Sequence, residues 1–248
     1  MSKKKIVALI QARMGSSRLP GKILMDINGR PMLWHVFSRL RRCHLLDDVV
    51  IVTTSESKDD DVESFCRLHQ ISCFRGSEQD VLDRYYQAAI ACKADIIVRI
   101  TADCPLIDPV ITDKVINAFL SHPGGYCGAA NIIERTYPRG LDTEVFVFPA
   151  VETAWKTASM PHHREHVTSF LYEHPEFFQV LSVKQDKDLS GMRWTVDETD
   201  DLHFINEVYR LMKKKGLDFF DYNDVVVLLA QHPALCKLNA SVMQKKIH

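Results

Sequence analysis

The sequence has few of the features that mark membrane, disulfide-stabilised or nucleic-acid-binding proteins. No apolar run approaches the roughly 18 residues of a membrane-spanning helix. The seven cysteines are odd in number and include no C-x-x-C pair, so no disulfide framework is predicted. Lys and Arg number 31 against 32 Asp and Glu, and the net charge of −1 excludes nucleic-acid binding driven by bulk charge.

A targeting signal is also missing from the beginning of the sequence. The first apolar run, residues 6–10, is too short for the core of a signal peptide. Dispersed thiols without paired spacing are typical of proteins in a reducing compartment. We therefore expect a cytoplasmic protein that has neither a membrane nor a nucleic acid as a partner.

Residues 11–22, directly after that run, match neither of the two familiar phosphate-binding loops. Gly15 and Gly21 are separated by five residues rather than the four of a P-loop, and Ile23 stands where a Ser or Thr should be. The dinucleotide pattern G-x-G-x-x-G is absent from this segment. Pro20 disfavours a helix inside the loop. An extended loop that wraps its ligand is predicted instead.

The composition of this loop favours a polyphosphate ligand. Gly15 lets the backbone approach an anion closely, because it has no Cβ. Backbone N–H groups and the hydroxyls of Ser16 and Ser17 can line a concave anion site. The positive charge that a triphosphate demands comes from Arg13, Arg18 and Lys22.

Short apolar runs alternate with helical patterns along the first half of the chain. The runs predict strands at 6–10, 49–52, 71–74 and 96–100, and the segments between them predict helices from Pro31 onward, over 58–69 and over 79–93. This alternation predicts an α/β fold with an open, mostly parallel, doubly wound sheet. Ligands of such sheets bind beyond the carboxyl ends of the strands, where the loop at 11–22 begins.

The second half of the chain does not show this regular alternation of strands and helices. Its patterns predict strands at 145–148 and 177–183 and helices at 161–173, 199–215 and 221–231. Thr199 or Asp200 is expected to be the N-cap of the helix at 199–215. No repeat or low-complexity linker divides the chain, so we expect one domain over 1–248.

Two aspartates stand at the ends of predicted strands. Asp103 follows the strand predicted at 96–100, where a carboxylate can hold Mg²⁺ together with substrate phosphates. The alternative is an ordinary turn or helix-capping aspartate. Asp197 ends a short strand before the helix at 199, and the alternative for this acidic run is a first helical turn favoured by the helix dipole.

One motif of a different class lies in the second half. His162, Glu165 and His166 fit the pattern H-x-x-E-H, which predicts a zinc peptidase if both histidines share a helix face. Residues 1–110 do not resemble a peptidase scaffold. The peptidase therefore stays a remote alternative.

The loop at 11–22 and the runs 75–85, 99–105 and 193–202 occur in the order found in the cytidylyltransferases that activate acidic sugars. The chain resembles in particular the spore-coat-polysaccharide branch of that family. The resemblance implies a nucleotide-diphospho-sugar-transferase-like fold with a small dimerisation and substrate arm at about 130–190, and hence a homodimer. This chain has Thr199 where the family usually has Pro, and His162 and His163 stand ahead of the run that begins at Arg164.

The resemblance also implies roles for individual residues. Catalytic groups would be Arg18, Lys22, Asp103 and Asp197, of which Asp103 and Asp197 would hold Mg²⁺. Nucleotide contacts would be Ala12, Arg13, Gly15, Ser16, Ser17, Arg75, Ser77 and Arg84. For the last three, an ordinary capped helix is the alternative. Substrate contacts would be Arg139, Asp142, Glu144, Arg164 and His166. For the last set, internal ion pairs of a polar dimer arm are the alternative.

The expected reaction is the transfer of CMP from CTP to an acidic sugar or related acceptor with release of pyrophosphate, for surface polysaccharide or glycan biosynthesis. A nucleotidyltransferase that uses GTP or UTP is one alternative. A non-catalytic nucleotide-binding homologue is another, although a sensor would not need two metal-binding carboxylates.

Overall fold

Aliphatic, β-branched runs form the centre of a seven-stranded sheet in the computed structural model, which describes residues 3–122 and 124–244. The strands are β1 (Ile6–Gln11), β2 (Asp26–Ile27), β3 (Arg30–Pro31), β4 (Asp48–Thr54), β5 (Cys73–Gly76), β6 (Ile96–Thr101), β7 (Gly128–Ala130), β8 (Glu144–Val147) and β9 (Val180–Ser182). The sheet order is β5-β4-β1-β6-β8-β7-β9, and β2 and β3 form a separate pair.

The central strands are parallel, as their uninterrupted apolar character predicts. Strand β1 lies between β4 and β6 and is parallel to both, and β5 is parallel to β4. Strand β8 is antiparallel to β6 and β7, so the sheet is mixed at this side. The prediction of an open, mostly parallel α/β sheet is confirmed.

Helices cover both faces of the sheet. They are α1 (Met32–Leu40), α2 (Asp60–Leu68), α3 (Val81–Cys92), α4 (Pro109–Leu120), α5 (Phe148–Thr157), α6 (Pro161–Glu165), α7 (Ser169–Glu173), α8 (Thr199–Lys214) and α9 (Tyr222–Gln231). One face packs on α1, α2 and α4, and the other on α3, α5 and α7. A third core, around Trp194, joins α8 and α9 to β2 and to the beginning of α1. Within the described part of the chain, no helix has the length and apolar character needed to cross a bilayer.

Several elements in the second half differ from their predictions. The helix predicted at 161–173 is two short helices, because Val167 adopts a left-handed backbone (φ 55°) that cannot continue an α-helix. The strand predicted at 145–148 ends at Val147, since Pro149 in the next turn favours the start of α5. The strand predicted at 177–183 is confined to β9.

The predicted cap of α8 is wrong. Glu198, not Thr199 or Asp200, is the N-cap, and it forms a capping box with Asp201. The reason is that Glu198 has extended backbone and its N–H donates to the buried Asp201 carboxylate at 3.2 Å. The Asp201 carboxylate also accepts from the N–H of Asp197 at 2.9 Å. The short strand predicted to end at Asp197 is wrong, because this segment has only an isolated bridge between Arg139 and Arg193 and is held by side chains instead.

Gly140 is required by its backbone and by its neighbours. Its φ is 102°, and a Cβ there would lie 2.6 Å from the carbonyl carbon of Trp194 and 2.7 Å from the nitrogen of Thr195. We expect Gly140→Ala to lower the free energy of unfolding by about 2–5 kcal/mol, because left-handed strain and a backbone shift add together. Urea unfolding measures this loss.

A matched control separates the two causes. Gly29 has a φ of 90°, but a Cβ added there would have no other atom within 4 Å. Gly29→Ala should therefore cost only the conformational strain, about 1–2 kcal/mol. Equal losses for the two variants would show that close packing against Trp194 adds nothing.

Candidate active site

The segments that carry the predicted phosphate loop and Asp103 leave the sheet at the same edge. Gln11 at the end of β1 pairs in register with Thr101 at the end of β6, so the two following segments leave side by side. The loop after Gln11 is closed on itself, because the carbonyl oxygen of Met14 accepts hydrogen bonds from the N–H groups of Ser16 and Gly21, both at 2.9 Å. This closure turns the chain back so that Lys22 faces the carboxyl ends of the strands.

A buried carboxylate anchors the loop. Asp59, which is fully buried, accepts a hydrogen bond from the N–H of Met14 at 2.7 Å and another from the hydroxyl of Thr54. Thr54 ends β4, the strand next to β1. The loop is therefore held to the sheet through a residue that sequence reasoning did not single out.

Lys22 brings the two predicted metal-binding aspartates together. Its Nζ lies 2.8 Å from Asp103 Oδ2 and 2.9 Å from Asp197 Oδ1, and it donates to the carbonyl oxygen of Val196 at 2.7 Å. Asp103 comes from the end of β6 and Asp197 from the segment before α8. The two carboxylates thus face one point in space although they are far apart in the sequence.

The electrostatics of this cluster are dominated by ion pairs. Burial lowers the pKa of Lys22, but attraction to Asp103 and Asp197 outweighs it, so that the pKa is raised above its ordinary value. Burial raises the pKa of Asp197, but Lys22, Arg193 and Arg18 more than offset this and lower it. Asp197 Oδ2 lies 2.9 Å from Arg18 Nη2 and 2.8 Å from Arg193 Nη2. Lys22 is thus cationic and Asp197 anionic at neutral pH.

The donor set fits a magnesium ion. Asp103 and Asp197 already converge on a cation, the Lys22 ammonium, and the carbonyl oxygen of Val196 contributes a third oxygen at the same point. Mg²⁺ prefers such oxygen ligands and combines one or two carboxylates with substrate phosphates. The ammonium of Lys22 would have to move aside for the ion.

Two adjoining cavities meet at these carboxylates. The larger, of about 330 Å³, is lined by Gln11, Arg13, Gly15, Ser16, Ser17, Arg18, Lys22, Ile23, Thr101, Ala102, Asp103, Glu165, His166 and Asp197. The smaller, of about 190 Å³, is lined by Arg18, Thr101, Asp103, Cys104, Arg139, Gly140, Asp142, Thr195, Asp197 and Gln244. Arg18, Thr101, Asp103 and Asp197 line both cavities.

Most residues of the predicted phosphate loop line the larger cavity, but the other predicted nucleotide contacts lie outside it. Ala12 is buried, and its N–H donates to the carbonyl oxygen of Val52. The guanidinium of Arg75 is paired with Asp60 and Glu63. Arg84 is fully buried and donates to the carbonyl oxygen of Ser77. Neither cavity is lined by Ala12, Arg75, Ser77 or Arg84.

Some of the predicted substrate contacts line a cavity and others do not. Arg139 and Asp142 line the smaller cavity and His166 lines the larger one. Glu144 is instead buried and paired with Arg99. Arg164 lies outside both cavities, with its Nε 2.9 Å from Asp80 Oδ2 and its Nη1 2.7 Å from the carbonyl oxygen of Trp155. Glu144 and Arg164 hold elements of the fold together, because buried or half-buried charges are stabilised by opposite charges.

Sequence reasoning missed residues that complete the site. Arg193 holds Asp197, and it is itself held by Asp201, at 2.8 Å from Nε to Oδ1. Gln244, near the end of the described chain, accepts from Arg193 Nη1 at 2.6 Å and closes the smaller cavity. Arg193 stands in the same polar run as Asp197, but its partner Asp201 is chosen by the packing of α8, and nothing near Gln244 in the sequence points to this site.

The histidine pair needed by the peptidase alternative does not form. Over residues 3–122 and 124–244, the group of three or more His, Cys, Asp or Glu donors that converge is His162, His163 and Glu173, without Glu165 or His166. His162 is engaged elsewhere, since its Nε2 lies 3.1 Å from Glu173 Oε1. The predicted peptidase geometry is therefore wrong.

Comparison with known proteins identifies the family of this chain. A family model described as cytidylyltransferase matches residues 7–247. The spore coat polysaccharide biosynthesis protein SpsF of Bacillus subtilis is 31% identical over 235 residues, which are 92% of this chain and 95% of that protein. The 8-amino-3,8-dideoxy-manno-octulosonate cytidylyltransferase of Shewanella frigidimarina is 35% identical over 144 residues, 58% of this chain and 59% of that protein.

A solved structure is similar over the whole fold. The structure of a cytidylyltransferase from Leptospira borgpetersenii serovar Hardjo-bovis superposes with a TM-score of 0.88 at 33% sequence identity, covering 99% of this chain and 100% of that one. The family match and this likeness both extend over nearly the entire chain. The protein therefore belongs to the cytidylyltransferase family of nucleotidyltransferase enzymes.

Proposed function

We propose that this enzyme transfers CMP from CTP to an acidic sugar, with release of pyrophosphate. The observation that carries the proposal is the meeting of two cavities at Asp103 and Asp197, with Lys22 between them. The larger cavity, lined by the glycine and serine loop and its cations, suits the triphosphate. The smaller cavity suits the acceptor. In-line transfer requires both substrates to meet at one point, and the shared carboxylates mark that point.

The residues of the loop would bind and orient the triphosphate. Arg13, Arg18 and Lys22 line the larger cavity, where the surrounding protein makes charge–charge attraction stronger than in bulk water. The hydroxyls of Ser16 and Ser17 add hydrogen-bond donors that need no charge. These groups would neutralise the charge that grows on pyrophosphate as it leaves.

Asp103 and Asp197 would hold Mg²⁺, which when bound supplies Lewis acidity toward the phosphate oxygens and lowers the pKa of a hydroxyl. Lys22 would then exchange its carboxylate partners for phosphate oxygens. Arg193 and Arg18 keep the Asp197 carboxylate oriented, since both contact Oδ2 and leave Oδ1 facing the cluster.

In the transfer, a hydroxyl oxygen of the acceptor forms a bond with the α-phosphorus of CTP, and the bond from that phosphorus to the pyrophosphate oxygen breaks. The acceptor hydroxyl gives up its proton to solvent through the open cavity. The chain's contribution is to position both reactants and to stabilise charge, so no histidine base is required.

The surroundings of Arg139 favour an acceptor that carries a negative charge. Its guanidinium lines the smaller cavity, and within the described residues no carboxylate forms a salt bridge with it, because Asp142 is paired with Arg135. Burial lowers the pKa of Arg139, and its neighbour Arg135 lowers it further, with only partial compensation by Asp142. A half-buried cation without an ion-pair partner is stabilised when a carboxylate binds beside it.

We expect Arg139→Ala to raise the KM for an acidic acceptor by about 10–100-fold, the worth of one charged hydrogen-bonded contact. The KM for CTP should change little, since Arg139 does not line the larger cavity. Steady-state kinetics with each substrate varied in turn measures both values. Arg210→Ala, which removes an exposed arginine paired with Glu207, is the control and should change neither. A rise in the KM for CTP alone would contradict the assignment of the two cavities.

Pyrophosphate release with Mg²⁺ from CTP, GTP, UTP and ATP, each with a panel of acidic and neutral sugars, tests the proposal. Release that requires CTP and an acidic sugar supports it, and isolation of the CMP-linked product identifies the acceptor. Release from GTP or UTP instead would establish the nucleotide alternatives. Binding of CTP without release under any acceptor would favour the non-catalytic homologue.

The biological setting is part of the same proposal. The name of the Bacillus subtilis relative refers to spore coat polysaccharide, and that of the Shewanella relative to an amino-octulosonate, which supports a role in surface glycan biosynthesis. We also propose a cytoplasmic homodimer formed through residues 130–190, where Ile133, Met160 and Phe177 are exposed apolar side chains. Sedimentation equilibrium distinguishes monomer from dimer.

A further inference from the structure

Helices α6 and α7 bring two histidines and a glutamate together outside both cavities. His162 Nε2 lies 3.1 Å from Glu173 Oε1 and 3.3 Å from Oε2, and His163 Nε2 lies 2.7 Å from Oε2. We propose that His162, His163 and Glu173 bind a divalent transition-metal ion, for which Zn²⁺ is the best fit, and that this ion ties α6 to α7.

The donor chemistry selects the class of metal. Two imidazole nitrogens and one carboxylate are a zinc donor set that leaves a fourth position for water. Imidazole nitrogen suits Zn, Cu, Fe and Ni, whereas Mg²⁺ and Ca²⁺ prefer oxygen ligands. The site is therefore chemically distinct from the all-oxygen cluster of Asp103 and Asp197, and each site should select its own ion.

The geometry is close to that of a bound ion. The three donor atoms lie within 4.8 Å of one another. With metal–ligand bonds of about 2.0–2.1 Å, tetrahedral ligands are separated by about 3.3 Å. His162 Nε2 already stands at about that separation from Glu173, and the 2.7 Å contact of His163 Nε2 has to lengthen by about 0.6 Å to reach it. The two imidazole nitrogens are bounded only by the 4.8 Å limit, so the rings turn toward each other when the ion binds. The ion would replace the proton that now lies between each imidazole and the carboxylate.

The surroundings hold the donors in place and leave a route for entry. His163 is buried, with its ring 4.0 Å from that of His162 and 5.2 Å, edge-on, from that of Phe170. The side chain of Glu173 is 49% exposed, so an ion reaches the site from solvent.

The position of this cluster gives the ion a structural consequence. Residues 166–168 separate α6 from α7, with Val167 in the left-handed region. Glu165 and His166, at the beginning of this break, line the larger cavity. An ion that joins His162 and His163 on α6 to Glu173 on α7 would fix the path of the break and hence the position of both cavity residues.

The proposal is tested without reference to catalysis by titrating the metal-free protein with Zn²⁺ in excess Mg²⁺ and measuring the binding by calorimetry. We expect one zinc site and a rise in the melting temperature when it is filled. Co²⁺ in the same site should give the intense visible absorption of tetrahedral coordination. His162→Ala and Glu173→Gln each remove a metal ligand. Each should weaken zinc binding by more than about 10–100-fold, which is the loss typical of removing only an outer-shell partner of a ligand.

The neighbouring His174 and Glu176, paired at 3.2 Å on the same surface but without a second histidine, provide matched controls. His174→Ala and Glu176→Gln should leave zinc affinity unchanged, and circular dichroism should show that all four variants keep the fold. The proposal is overturned if the wild type binds no zinc. It is also overturned if the His162 and Glu173 variants bind zinc as tightly as the two controls do.

Discussion

Asp103→Asn should fold normally and yet lose about 10²–10³ of the rate of pyrophosphate release from CTP with Mg²⁺, a loss comparable to that of one transition-state-stabilising group. The substitution removes one negative charge from the point where both cavities meet. An amide oxygen in the same place can still accept the hydrogen bond from Thr101 Oγ1, now 2.6 Å from Asp103 Oδ1, so the local structure should persist.

The measurement is the rate of pyrophosphate release across a range of Mg²⁺ concentrations. Asp188→Asn, which neutralises an exposed aspartate in a turn with Ser190, is the matched control and should retain full activity. If more Mg²⁺ partly restores the Asp103 variant, the lost charge acted on metal binding. Near-full activity of Asp103→Asn at low Mg²⁺ would rule out this role.

Lys22→Ala should be nearly as damaging, with a loss of about 10²–10³ in kcat/KM for CTP, because two functions disappear together. The triphosphate loses a cation in the larger cavity. Asp103 and Asp197 also lose the ammonium that now lies within 2.9 Å of both, so their mutual repulsion is no longer compensated. Steady-state kinetics with CTP varied, and direct binding of CTP, measure the two effects.

Two further variants sharpen the Lys22 test. Lys3→Ala removes an exposed lysine paired with Asp47 and should be without effect. Lys22→Met keeps the length of the side chain but not the charge, and should be as impaired as the alanine variant if charge is what matters. Unchanged affinity for CTP in both Lys22 variants would contradict the placement of the triphosphate in this loop.

Local pattern was sufficient for the centre of the fold and for one side of the site. The strands at 6–10, 49–52 and 96–100 were predictable because buried parallel strands need continuous apolar runs. The loop at 11–22 was predictable because glycine, hydroxyl and cationic residues followed such a strand at once. Asp103 was predictable for the same reason, since its strand ends at the same edge of the sheet.

Long-range pairing of charges was not predictable from residue type. Arg164 and Arg139 are both arginines in polar runs, yet Arg164 is bound to Asp80 while Arg139 has no such partner among the described residues and faces a cavity. Glu144 was expected to contact substrate and is instead buried against Arg99. A charged side chain shows its chemistry in the sequence, but its partner is chosen by which elements the fold brings within about 4 Å.

The amino-acid order by itself determined that a polyphosphate loop would follow the first strand and that the chain would form a layered, mostly parallel α/β sheet. Both properties depend on neighbours in the chain, namely periodicity and turn chemistry. Only the tertiary structure decided that Asp197, Arg193 and Gln244 would join Lys22 and Asp103, and that His162, His163 and Glu173 would form a separate cluster. The reason is that packing of α8 and of the α6–α7 pair against the rest of the fold sets these distances, and no local spacing encodes them.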